Sequence, residues 1–63
     1  MTNEEAQARV KEMGGNLAIY HPETIISLPY YRVAKIHMVG FEWEGIGDTW
    51  EEAFENIERM EDL

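Results

Sequence analysis

Residues 30–47 read YYRVAKIHMVGFEWEGIG, and the way this stretch pairs with itself decides the fold. Two runs rich in β-branched and aromatic residues meet at Val39-Gly40, the pattern of two strands joined by a tight connection. With Val39-Gly40 as a two-residue loop, Met38 opposes Phe41, Ile36 opposes Trp43 and Ala34 opposes Gly45, so one face is wholly apolar. The same register sets His37 against Glu42, Lys35 against Glu44 and Val33 against Ile46 on the other face, where opposite charges meet. A slip of one residue would carry the charges onto the apolar face. Valine is a poor first residue for a type I′ turn, which leaves a bulged three-residue loop as the alternative connection.

Asp48-Thr49 closes this hairpin, and Thr49 followed three residues later by Glu52 is a capping box. Trp50, Ala53, Phe54, Ile57 and Met60 then recur at helical spacing. They predict a helix from residue 50 to about residue 61, lying across the Ile36, Met38, Phe41 and Trp43 face. Glu51, Glu55, Glu58 and Asp62 form an acidic stripe along it. Glu58, Glu61 and Asp62 stand at the negative end of its dipole, and like-charged pairs such as Glu51 with Glu55 add a further cost, so local stability does not favour the stripe.

Toward the N-terminus, Thr2 and Glu5 make another capping box, and Ala6, Val10 and Met13 mark a helix over about residues 3–13 that Gly14-Gly15 ends. Its apolar stripe is thin, so it should sit at the margin of a core made elsewhere. Leu17–Tyr20 and Thr24–Leu28 flank His21-Pro22-Glu23 and read either as a tight hairpin or as one irregular strand. The order is helix, three strands or four, helix. The expected fold is α+β: a two-layer αβββα sandwich in which an antiparallel sheet carries both helices on one face.

Sixty-three residues make a single small domain, 1–63, whose core is too modest to enclose a substrate cleft, so a binding surface is the default expectation. The absence of cysteine excludes a disulfide framework and thiolate zinc sites. Apolar runs span only a few residues, so neither a membrane span nor a signal peptide is read, and the expected compartment is the cytoplasm, that of the host if the chain is phage-encoded. The net charge of -8 is unevenly placed: residues 1–40 hold four acids against four bases, and residues 41–63 hold nine acids against Arg59 alone. Such a segment repels phosphate and attracts basic surfaces, so direct nucleic-acid binding is not expected.

No catalytic residue, metal ligand or cofactor is assigned. His21 and His37 lack a metal-ligand spacing, and His37 has a cross-strand partner in Glu42. Ser27 stands alone, and Gly14-Gly15 closes a helix where a phosphate loop would open one. Glu42 and Glu44 share a strand face as a catalytic pair would, but His37 and Lys35 neutralise them, and raising a carboxyl pKa needs an apolar pocket. The candidate binding residues are Glu42, Glu44, Glu51, Glu52, Glu55, Glu58 and Asp62, with Tyr30 and Tyr31 as anchors, since one of the two tyrosines must point away from the core.

From Tyr30 onward, and above all in Gly47-Asp48-Thr49-x-Glu51-Glu52-Ala53-x-x-Asn56, the chain resembles the C-terminal part of HicB-type antitoxin domains, where a strand pair leads into a capped acidic amphipathic helix. It departs from them in carrying Met38-Val39-Gly40 where a proline-glycine-cysteine turn is usual, and in having a helix before the strands. The overall order is also similar to the αβββα of double-stranded RNA-binding domains, but Trp50, Glu51 and Glu52 stand where those domains carry phosphate-gripping lysines, so RNA binding is not implied.

Two functional readings follow. In the first, the chain is a non-enzymatic, acidic protein-binding module of the inhibitor or antitoxin kind that occupies a basic surface on a nucleic-acid-acting partner: a toxin, a nuclease or a phage-defence complex. In the second it is a structural or self-associating protein, a homo-oligomer such as a homodimer formed through its β edge with Tyr30 and Tyr31, the acids serving solubility alone.

Overall fold

A computed structural model describes residues 1–59. Thr2 starts α1 (Asn3–Glu12) with a complete capping box: its hydroxyl accepts the Glu5 N–H at 3.1 Å, and the Glu5 carboxylate accepts the Thr2 N–H at 3.1 Å. That backbone hydrogen bond holds the Glu5 carboxyl below the usual carboxylate range. Gly14, at φ 84°, lets the chain turn off the helix, and the Gly15 N–H reaches back to the Val10 carbonyl at 2.7 Å.

Four strands follow as an antiparallel meander in the order β1 (Leu17–His21), β2 (Tyr30–His37), β3 (Gly40–Gly47) and β4 (Glu58–Arg59), with α2 (Trp50–Glu55) between the last two. Ala6 and Val10 of α1, Val33 and Trp43 of the sheet, and Trp50, Ala53 and Phe54 of α2 form one buried core, which places both helices on the same face. The expected α+β class and its two layers hold. The second helix is half as long as expected, and the added strand is β4, while Thr24–Leu28 forms a turn instead of a strand.

The hairpin register differs from expectation. Val33 pairs with Gly45, Ala34 with Glu44 and Lys35 with Trp43, and Glu42 is an extra residue before Ile36 pairs with Phe41 and His37 with Gly40. The strand β3 presents Trp43 and Gly45 inward, as read from sequence, but β2 is slipped by one, so its odd positions Tyr31 and Val33 face the helices and its even positions do not. Ile36, Met38 and Phe41, expected in the core, are exposed.

One feature of the hairpin explains the slip. The connection is Met38-Val39, both at negative φ, and Gly40 supplies the positive φ of 136°. Extending β3 by Gly40 and then bulging it at Glu42 changes the pairing phase along the hairpin. The seat of α2 fixes the inward face of β3, which agrees with the sequence reading. A side chain at Gly45 would run into the Ala53 carbonyl, and one at Gly47 would lie 2.7 Å from the Ala53 nitrogen, so α2 rests directly on the backbone of β3. Trp50 and Phe54 of the same helix are buried in the core, with the Arg9 guanidinium 4.5 Å from the Phe54 ring centre.

The end of α2 has a cause of its own. Asn56 caps it, and the Asn56 side-chain amide donates to the Ile46 carbonyl on the outer edge of β3 at 2.8 Å. From there the chain pairs with the same edge, Glu58 opposite Glu44 and Arg59 opposite Trp43. Ending the helix removes Glu58 from an unfavourable dipole end. Asn16 performs the matching task at the other side of the sheet: its side-chain amide donates to the Ile36 carbonyl at 3.0 Å and accepts the Ile36 N–H at 2.9 Å, extending the β1–β2 ladder by one rung.

Candidate functional site

The expected acidic stripe does not exist as one helical surface. Glu51, Glu52 and Glu55 are exposed on α2, Glu58 lies on β4, and Asp62 falls outside the described residues with Glu61. The Glu52 N–H donates to the Thr49 hydroxyl at 3.0 Å, and the Glu52 carboxylate accepts the Asp48 N–H at 2.9 Å, so Glu52 is committed to holding the start of α2. Glu51 lies 3.9 Å from the N-terminal ammonium.

Glu42 and Glu44 belong to different environments. Glu42, at the bulge, meets Lys35 Nζ at 2.8 Å and His37 Nε2 at 3.1 Å, and these hydrogen bonds, Lys35 first, hold its carboxyl below the usual range. The expected His37 pair is present, but Lys35 pairs with Glu42 instead of Glu44. Glu44 is instead bonded by Arg32, whose Nε donates at 2.8 Å and whose Nη2 donates to the same oxygen. The Arg32 guanidinium also lies 4.7 Å from the Phe41 ring centre. Both strand carboxylates are thus compensated, whereas Asp48, Glu55 and Glu58 have no basic partner among the described residues. Glu4, Glu12 and Glu23 likewise have no basic partner among the described residues, so the acids of α2 and its flanks are one part of the free negative charge.

The tyrosines separate as expected, one to each side. Tyr31 packs between Tyr20 and Trp50 with ring centres 4.8 Å from each, on the helix face. Tyr30 stacks on His21 at 4.3 Å on the opposite, open face.

That open face was not anticipated. Cross-strand pairing lines it with Leu17, Ala34 and Glu44 in one row, Ile19, Arg32 and Ile46 in the next, His21 with Tyr30 at one end and Ile36 with Phe41 at the other. Ala34 is buried between its neighbours, but Ile19, Ile36, Phe41 and Ile46 retain 41%, 41%, 37% and 43% of their exposure. Period-two alternation in β2 carried the signal: Tyr30, Ala34 and Ile36 are apolar as well as Tyr31 and Val33, so both faces of the strand are apolar and neither phase is excluded.

The loop between β1 and β2 presents Ile25 and Ile26 wholly, and Leu28 largely, to solvent. It is braced internally, the Thr24 N–H donating to the Ser27 carbonyl at 2.9 Å and the Ser27 hydroxyl to the Leu28 carbonyl at 3.0 Å. Beside β1, a shallow cleft of about 220 Å³ is bounded by Gln7, Val10, Lys11, Asn16, Leu17 and Ala18, and it holds no pair of acid and base. Among the described residues no group of three or more histidines and carboxylates is placed to hold a metal ion, and no helix is long and apolar enough to cross a membrane. Comparison of the chain with protein-family models, with curated proteins and with solved structures returned no match.

Proposed function

We propose that the chain is an acidic, non-enzymatic protein-binding module that occupies a basic surface on a nucleic-acid-acting partner, of the kind an inhibitor or antitoxin would meet. One observation supports this most: Arg32, Lys35 and His37 contact the carboxylates of β3, while Asp48, Glu55 and Glu58 around α2 have no basic partner among the described residues. Charge segregated in this way steers a cationic partner toward one end of the molecule and speeds association. Among the described residues the binding set we propose is Glu55 and Glu58 with Glu51, whose contact is the N-terminal ammonium alone, since Glu52 serves the helix cap and Glu42 and Glu44 are engaged within the sheet; Asp62 lies outside the described residues.

The test compares the wild type with a variant carrying Glu51→Gln, Glu55→Gln and Glu58→Gln. Affinity capture from cells followed by mass spectrometry should recover a basic nucleic-acid-acting protein with the wild type and much less of it with the variant. Association with that protein should be slower for the variant and less sensitive to salt. Equal capture and equal rates at two salt concentrations would exclude α2 as the binding surface.

A further inference from the structure

We infer that the open face of the sheet is the interface of a reversible dimer, in which two copies of this chain pack face to face. It goes beyond the reading of the acidic end and uses a different surface.

Four large apolar side chains, Ile19, Ile36, Phe41 and Ile46, share this face with Leu17 and Tyr30, and no second layer covers them among the described residues. A two-layer sandwich ordinarily makes its outer sheet face polar, so an apolar one marks a contact surface. Its charge identifies the occupant. Arg32 and Glu44 compensate each other at its centre, and the one further carboxylate in its rows, Glu58, stands at the β4 margin. A cationic partner gains little from so nearly neutral a surface, while a second copy supplies a matching apolar one by symmetry.

The same pairing resolves the repulsion between two chains of net charge -8. Sheets stacked face to face lie about 10 Å apart and put each α2 on the outside, so the α2 acids Glu51 and Glu55 of the two copies are separated by well over the ~8 Å screening length at physiological salt, and Glu58 stays at the interface margin. Strands of up to eight residues across β1, β2 and β3 offer a face of roughly 26 Å by 14 Å, on the order of 400 Å² per copy. That area fits a weak, concentration-dependent dimer and not an obligate one.

Salt separates this interface from the acidic one. Added salt screens the repulsion between like-charged copies and should strengthen the dimer, whereas it should weaken binding of a basic partner. Sedimentation equilibrium of the full chain, at protein concentrations up to about 1 mM where weak interfaces populate, should show a dimer that tightens between low and high salt. Ile36→Glu and Ile46→Glu, each placing a charge in the interface, should weaken it by about tenfold or more while leaving the circular dichroism of the fold unchanged. A variant carrying only the α2 changes Glu51→Gln and Glu55→Gln should dimerise at least as well as the wild type, so failure of one reading leaves the other standing.

A second measurement needs no variant: isotope-filtered nuclear Overhauser spectra of a mixed labelled and unlabelled sample should show contacts between copies among Ile19, Ile36, Phe41 and Ile46. A chain that stays monomeric at high salt and about 1 mM would overturn the inference. So would intermolecular contacts confined to the free edge of β1, which would signify edge-to-edge strand pairing.

Discussion

The two faces of one sheet show two ways of using apolar residues. The helix-covered face is built by subtraction: Gly45 and Gly47 clear the surface of β3 so that the backbone of α2 can settle on it, and Trp43, Trp50 and Phe54 fill what remains. The open face is built by addition, with β-branched and aromatic side chains standing side by side, braced by an Arg32–Glu44 pair and still partly wet. Both faces carry large apolar side chains, so what makes a core here is the fit to a second layer. An apolar face without one is a surface awaiting a partner.

The comparison breaks first at its strongest point. Trp43 is 4% exposed, and Trp43→Ala should cost about 3–5 kcal/mol. Such a domain has a total stability of only about 3–9 kcal/mol, so thermal or urea melts should find the variant largely unfolded near body temperature. Gly45→Ala should follow at about 1–3 kcal/mol, because the new methyl meets the Ala53 backbone and α2 must lift. On the open face Ile36→Ala should cost under about 1 kcal/mol in the monomer, since the side chain is already two-fifths exposed. Equal losses at Trp43 and Ile36 in a dilute monomer would erase the distinction between the faces.

Between these extremes lie the two asparagines that close the sheet. Asn56→Ala removes the bond to the Ile46 carbonyl and Asn16→Ala the pair of bonds to Ile36, and each should cost about 1 kcal/mol. Amide hydrogen exchange should rise locally, at β4 for Asn56→Ala and at the Asn16 end of β1 and β2 for Asn16→Ala. Exchange that rises evenly over the whole chain would show that neither amide acts at its own edge.

Much of this was legible in the residues, and the part that was not has a common cause. Local signals read correctly: the Thr2–Glu5 box, the Gly14-Gly15 stop, the Thr49 cap, the Trp50, Ala53 and Phe54 stripe and the pair of strands in 30–47 all follow from neighbours within four or five positions. Non-local ones did not. The register turned on a bulge at Glu42, which has no local signature, and the apolar even positions of β2 made the wrong phase equally attractive. The length of α2 failed similarly, because Glu55, Ile57 and Glu58 continue a helical pattern that the tertiary bond from Asn56 to Ile46 and the pairing of β4 with β3 interrupt. For the acidic site this mattered directly, since the stripe from Glu51 to Asp62 presupposed a helix twice as long.

The smallest expected effect lies at the hairpin tip, beyond the reach of both helices, where charge does the work that packing does elsewhere. Glu42 sits in the bulge between Lys35 and His37 and its carboxyl is held below the usual carboxylate range, chiefly by the Lys35 hydrogen bond. A group whose pKa is lower folded than unfolded stabilises the fold above its unfolded pKa, and this contribution is lost as pH falls through the folded value. Glu42→Gln should therefore lower the melting temperature slightly at neutral pH, and the difference from the wild type should shrink as the pH drops below the ordinary carboxylate range. Raising the salt concentration at neutral pH should shrink it as well, because the pair is exposed to solvent. Thermal melts of the two proteins from pH 7 down to about pH 3, spanning carboxylate titration, would check the sign. A difference that persists unchanged in acid would mean that Glu42 holds the bulge by its shape and not by its charge, and the tip would then resemble the packed face of the sheet more than the open one.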